Sequence, residues 1–229
     1  MPQSRLETAF WTAAAAALLA LAVLGWWAWA AVAAACLALT ALLPAFTAVS
    51  GLRFPVRLTV GVAAFCAGAL LFGELGDGYE MVPWWDMALH VVSMAALAVV
   101  GTALALLPTG GARPRTPVWV LATLAFGFAM MVGALWEVME FGLDAAFGFE
   151  TQDTGLDDTM WDVIANAVGA LWGAAAGAVA LVRGRGWVPG GLLLDWIALN
   201  PVLYPLWSGP FEAGRRPLPG EDRALQRGG

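Results

Sequence analysis

The residues best suited to chemistry are acids at helical spacing around the chain's single histidine. Side chains three or four positions apart lie on one face of a helix. Three segments of the sequence have this spacing: Asp86 and His90; Glu137 and Glu140; and Asp158, Asp162 and Asn166. The chain contains no Lys, and no Arg lies between Arg115 and Arg183. Acids in such apolar surroundings, without a fixed cation nearby, indicate a functional site.

Charge repulsion limits what such a cluster can be. Two carboxylates about 4 Å apart repel by about 4 kcal/mol at an effective dielectric constant near 20. Some of the acids must therefore be protonated, or a divalent cation must bind among them. One histidine with several carboxylates from facing helices suits zinc or manganese. The predicted metal ligands are Asp86, His90, Glu137, Glu140, Asp158 and Asp162, with Glu74 and Asn166 in supporting positions.

Two other interpretations of the acids stay open from the sequence. They could form a protonated, hydrogen-bonded cluster without a metal. They could instead be solvated loop residues and acids at helix N-termini. We expect the solvated class to include Asp77, Glu80, Glu150, Asp153 and Asp157.

The composition shows which elements must hold these residues. Of the 229 residues, 61% are hydrophobic and only 12% are charged, whereas soluble domains are about a quarter charged. Six apolar runs approach or reach the ~20 residues that span a bilayer. They are 8–26, 29–49, 56–74, 85–107, 118–144 and 157–182. The sequence therefore predicts an all-α bundle of six transmembrane helices in residues 1–183, and no basic patch suggests a nucleic-acid partner.

The arginines predict the orientation of the bundle. They fall in every second connection, so that six spans place all of them on one side. The positive-inside rule makes that side cytoplasmic, with both termini inside and the acidic segments outside. Arg5, an apolar run and Ala28-Trp29-Ala30 also resemble a cleavable signal peptide, but the run continues directly into a second span.

Two further segments have distinct patterns. Asn166, Gly169, Gly173 and Gly177 follow Asp162 along one side of the sixth run, and this small-residue ladder predicts close packing between helices of the same chain. Residues 184–207 are apolar but interrupted by Asp195 and prolines, which favours an amphipathic helix in the inner interface. Residues 208–229 are rich in Gly, Pro and Arg, and we expect a disordered cytoplasmic tail.

Several motifs resemble those of the YjdF-type family of uncharacterised bacterial inner-membrane proteins. They are Gly73-Glu74, Tyr79, Asp86-x-x-x-His90, Trp136-Glu137-x-x-Glu140, Thr151-Gln152 and Asp158-x-x-Trp161-Asp162. A more distant likeness, to the VanZ-like family, rests on Asp86-x-x-x-His90 and Asp162-x-x-x-Asn166, although Met87 stands where that family usually has Lys. The resemblance implies a multi-pass protein of the bacterial cytoplasmic membrane, and neither family implies a reaction.

Three functions are compatible with this pattern. The first is a metal-assisted hydrolase that acts on lipid or cell-envelope material at the outer leaflet, with Glu137 or Glu140 as general base. The second is a cation-binding or transport protein that uses the protonatable acids. The third is a non-enzymatic membrane scaffold or stress factor in which the cluster is structural. The acids lie at one membrane face only, which favours the hydrolase over a through-path.

Overall fold

Six long apolar helices make up most of the structure, a computed structural model that describes residues 3–148 and 155–211. The elements are α1 (Gln3–Val23), α2 (Trp27–Ser50), α3 (Val56–Cys66) continued by a π-helical segment (Ala67–Glu74), α4 (Gly78–Met81), α5 (Trp85–Leu106), α6 (Val118–Phe147), α7 (Leu156–Arg183) and α8 (Gly190–Leu199). All six spans are long and apolar enough to cross a bilayer, and no strand occurs in the described ranges. The predicted all-α, six-span membrane bundle is confirmed, while its orientation stays a prediction.

Glycine and proline set the helix boundaries. Gly51 ends α2 in the left-handed conformation, with φ of 73°, and its N–H donates to Thr47 O at 2.8 Å. Gly184 ends α7 in the same way. A left-handed residue closes a helix because its N–H turns back to an otherwise unpaired carbonyl, and glycine adopts that conformation without a steric penalty. Pro55 and Pro117 precede α3 and α6, where an extended residue starts the next helix.

The centre of the bundle is α5, which packs against both α6 and α7. The contact with α7 is unusually close, because a Cβ atom at Gly169 would collide with the backbone carbonyl of Val91. A Cβ atom at Gly173 would collide in the same way with the carbonyl of Ala95. The small-residue ladder therefore packs within the chain, as predicted.

The second half of the third span differs from expectation, because residues Ala67–Glu74 form a π-helix. The wider turn fits the neighbouring indole of Trp85, whose Nε1 donates to Gly68 O at 3.0 Å. A Cβ atom at Gly68 would already lie 3.2 Å from that ring. A single run of apolar residues does not reveal this departure, since it depends on the partner helix.

The last described residues pack against the C-terminal ends of α5 and α7. Leu193 and Ile197 of α8 are buried with Leu106 and Leu181, at the ends of α5 and α7. Phe211 is also buried there, and its N–H donates to Leu181 O at 2.8 Å. Phe211 belongs to the segment 208–229 for which the sequence predicts a disordered tail, and this prediction is not tested beyond residue 211.

Other predictions about the connecting segments are not decided. The rest of the predicted tail lies outside the described residues, and so do Glu150 and Asp153. The interfacial placement of 184–207 stays a prediction.

We predict that Gly173→Ala destabilises the protein by about 1–3 kcal/mol, because the added methyl group overpacks a backbone contact. Gly127→Ala is the matched control, since a Cβ atom at Gly127 has no neighbour within 4 Å. It should be neutral or stabilise by up to about 1 kcal/mol, because alanine favours helix. Thermal unfolding in detergent measures both, and equal melting temperatures would contradict the close α5–α7 contact.

Candidate functional site

Three helices bring their polar positions to the same end of the bundle. The first turns of α5 and α7 and the last turns of α6 lie together, because α6 runs antiparallel to the other two. Within this end, the acid and histidine positions of each helix face inward. His90, Glu137, Asp162 and Asn166 are buried, with 8%, 6%, 4% and 1% of their surfaces exposed.

His90 lies at the centre of the site. Its Nδ1 is 2.9 Å from Oδ1 of Asn166, a hydrogen bond in which the ring nitrogen donates to the amide oxygen. Its Nε2 faces Oδ2 of Asp86 at 3.6 Å and Oδ1 of Asp162 at 3.8 Å. The Nδ1 edge of the ring therefore faces an amide, whereas the Nε2 edge faces two carboxylates.

Glu137 lies on the Nδ1 side of the same ring. Its Oε1 is 4.0 Å from Nδ1, and the side chain of Asn166 is adjacent. Among the described residues, neither carboxylate oxygen of Glu137 has a hydrogen-bond partner of good geometry. A buried carboxylate without a partner costs several kcal/mol if it is charged. A cation or a proton at this end of the bundle would offset that cost.

Three of the six predicted ligands form a compact group. Asp86, His90 and Asp162 each offer one ligand atom, and these atoms all lie within 4.8 Å of one another. Two ligand atoms about 2.0–2.1 Å from a tetrahedral ion are themselves about 3.3–3.4 Å apart. The observed separations of 3.6 and 3.8 Å around Nε2 are close to that value. The Asp86 side chain is 44% exposed, so the group is reachable from outside.

The other predicted residues lie around this group. Glu140 is partly buried, accepts a hydrogen bond of 2.8 Å from Trp136 Nε1, and lies within electrostatic range of His90. Asp158 lies one turn before Asp162 on α7, within electrostatic range of it. Glu74 is exposed at the end of the π-helical segment, outside the compact group.

Tyr79 is a neighbour of the site that helical spacing did not identify. Its ring covers Gly73, where a Cβ atom would lie 2.7 Å from the ring carbon Cζ. Burial, together with the negative charges of Asp86, Glu74 and Glu140, raises the pKa of the Tyr79 phenol to about 12. The phenol therefore stays protonated at neutral pH. Tyr79 stands on the short α4, so no pattern within a long helix could have assigned it to the cluster.

Comparison with known families agrees with this architecture. The profile of a family described as predicted membrane protein (DUF2238) matches residues 7–183. The chain belongs to this family. DUF2238 is the YjdF-type family that the motifs suggested, whereas the likeness to the VanZ-like family finds no support. No curated protein and no solved structure matches the chain. The family description establishes a membrane protein and assigns it no activity.

We predict that Glu137→Gln raises the melting temperature of the metal-free protein by a few degrees, because it replaces a buried carboxyl group, whose oxygens have no hydrogen-bond partner of good geometry, with a neutral amide. Thermal unfolding in detergent with a chelator measures the shift. Glu80→Gln is the matched control, since Glu80 is exposed on α4 and its replacement should change little. A lower or unchanged melting temperature for Glu137→Gln would contradict the interpretation of Glu137 as an uncompensated acid.

Proposed function

We propose that this protein is a membrane-embedded metal-assisted hydrolase that acts on lipid or cell-envelope material at the outer leaflet. The observation that carries the proposal is the arrangement around Nε2 of His90, which faces carboxylates of Asp86 and Asp162. The separate roles of the surrounding residues follow from that arrangement.

The tautomer of His90 explains the need for a cation. Because Nδ1 donates to Asn166, Nε2 of the neutral ring carries a lone pair. That lone pair and two carboxylates then face one another, and all three are electron-rich. Distances of 3.6 and 3.8 Å from Nε2 are too long for good hydrogen bonds to either carboxylate, although Asp86 and Asp162 lie within hydrogen-bond reach of each other. A divalent ion among the three groups satisfies all of them at once.

The contact behind the ring supports the same interpretation. Histidines that bind metals almost always donate their second N–H to a carboxylate, a carbonyl oxygen or water, which fixes the ring and the tautomer. Asn166 has this position towards His90, and Glu137 lies beside it. A set of one imidazole and two carboxylates suits zinc or manganese. In this assignment Glu137 lies beside the Nδ1 edge of His90 and supports the ring, and Asp158 is a candidate for a further ligand.

Hydrolysis requires a base and access for the substrate. A divalent ion in this position supplies Lewis acidity for an ester or phosphoester oxygen. Glu140 is suited to be the general base, because it is only partly buried and Trp136 Nε1 orients its carboxylate. The exposed side of Asp86 gives the substrate a way in from the acidic end of the bundle. Trp84 and Trp136 are exposed at that end, as is usual for side chains at the lipid–water interface.

The alternative of a cation transporter has less support. Transport would need a path that continues from the site towards the Arg-rich end. Directly below His90 and Asn166, α5 and α7 meet at Gly169 and Gly173 without room for a methyl group. A cation that enters from the acidic end therefore meets a closed contact between these helices.

We predict that the purified protein binds about one zinc or manganese ion per chain, and that His90→Ala and Asp162→Asn lose it. Elemental analysis after dialysis against each metal measures this. Asp195→Asn is the control, since Asp195 pairs with Arg57 on the α8 side of the bundle and its loss should leave the metal content unchanged. Asn166→Ala should weaken binding by about 10–100-fold, as expected for a residue that orients a ligand. Wild-type protein without metal would contradict the site.

We predict that Glu140→Gln keeps the metal and lowers hydrolysis by about 10²–10⁴-fold, the usual contribution of a general base. The assay incubates proteoliposomes with bacterial envelope lipids and identifies released products by mass spectrometry, with and without a chelator. Glu80→Gln is the control, since Glu80 is exposed on α4. Hydrolysis that survives metal removal, or equal rates for Glu140→Gln and wild type, would contradict the mechanism. Metal binding without hydrolysis of any envelope lipid would favour a cation-binding or scaffold role.

A further inference from the structure

A groove lies at the opposite end of the bundle from the acid cluster. It is formed by α1, α2, the 51–55 connection and the start of α3, and it has a volume of about 920 Å³. This volume falls in the range of about 300–1,000 Å³ that is typical of small-molecule sites. The helix α1 packs mainly on α2 and α3 and buries none of its spanning residues. The groove therefore separates a peripheral helix from the rest of the bundle.

The length of the groove matches one leaflet. Its lining on α1 runs from Ser4 to Ala15, which is about 16 Å along a helix at 1.5 Å per residue. Half of a hydrocarbon core of about 30 Å is nearly the same length. Trp11 and Leu43 make the deeper part apolar. A molecule that fills this groove must have an apolar part as long as one leaflet is deep.

Two opposite charges line the shallow end. Glu7 comes from the first turns of α1, and Arg53 comes from the connection between α2 and α3. Arg53 is held in place through its backbone by Asn200, which is only 4% exposed. Its N–H donates to Asn200 Oδ1 at 2.8 Å, and Asn200 Nδ2 donates to its carbonyl at 2.9 Å. These two hydrogen bonds fix the backbone of Arg53, and its guanidinium takes no part in them.

We propose that the groove binds one glycerophospholipid with a zwitterionic phosphoethanolamine head group, from the leaflet on the Arg-rich side. Arg53 binds the phosphate, because a guanidinium recognises phosphate through paired hydrogen bonds. Glu7 binds the primary ammonium of the same head group. An acyl chain lies along Trp11, Ala15 and Leu43. The separation of charged and apolar lining favours an amphiphile over a soluble ligand, and the bilayer supplies that amphiphile directly.

The test is native mass spectrometry of the full chain in detergent, titrated with phosphatidylethanolamine or phosphatidylglycerol that carry the same acyl chains. Wild-type protein should retain one phosphatidylethanolamine at least about tenfold more tightly, because a hydrogen bond to a charged group contributes about 1.5–3 kcal/mol. Glu7→Gln should remove this preference, since phosphatidylglycerol has no ammonium. Arg53→Gln should weaken both lipids, and its backbone clasp by Asn200 remains.

Matched variants separate this site from general detergent or lipid binding. Arg57→Gln is the control for charge, because Arg57 pairs with Asp195 and does not line the groove. Ala15→Trp should fill the groove and expel the lipid, whereas Ala13→Trp adds the same bulk on the exposed side of α1. Equal binding of the two lipids by wild type would overturn the proposal. The same lipid retention by Ala15→Trp and Ala13→Trp would overturn it as well.

Discussion

The close approach of α5 to α7 is the contact on which the rest of the site depends. Glycines at 169 and 173 let α7 lie directly on the carbonyls of Val91 and Ala95. His90 immediately precedes Val91, and Asn166 lies one turn before Gly169 on the same face. Bringing the two backbones together therefore brings the His90 ring to Asn166 at hydrogen-bond distance. A side chain at either glycine would separate the helices and break the contact that fixes the histidine tautomer.

That fixed tautomer makes the electrostatics of the site asymmetric. The Nδ1 edge of the ring is occupied by Asn166, and the Nε2 edge faces the carboxylates of Asp86 and Asp162. Among the described residues no Lys or Arg lies at this end, because the arginines there flank the opposite ends of the spans. A positive side chain here would neutralise the acids permanently. Its omission leaves the acids without a fixed counter-charge, which is compatible with the proposed metal site.

Much of the fold was predictable from the sequence, and the reason is physical. A long apolar segment in lipid must satisfy its backbone hydrogen bonds internally, and an α-helix does so. Composition and segment length were therefore enough to predict six transmembrane helices. The π-helical segment at 67–74 was not predictable, because it depends on an indole from another helix. The anchoring of Phe211 was not predictable either, because its pocket is built from residues distant in the sequence. Local rules fail where a partner element decides the conformation.

The sequence predicted part of the candidate site, namely the polar face of each helix. Helical spacing predicted one polar face on each of three helices, and in the structure ligand atoms of Asp86, His90 and Asp162 lie within 4.8 Å of one another. Spacing contains no information about the rotation of one helix relative to another. That rotation places Glu137 behind the histidine ring and Glu74 outside the compact group.

The position of Glu137 is informative because stability alone does not account for a carboxyl group there. A buried acid whose oxygens have no hydrogen-bond partner of good geometry destabilises the fold relative to a neutral amide of the same shape. Yet it lies 4.0 Å from the ring nitrogen whose proton orients His90. A negative charge there strengthens the ring as an electron donor at its opposite nitrogen, as carboxylates behind metal-binding histidines do. The proposed metal site accounts for this cost in stability, because the same carboxylate would support His90 as a ligand.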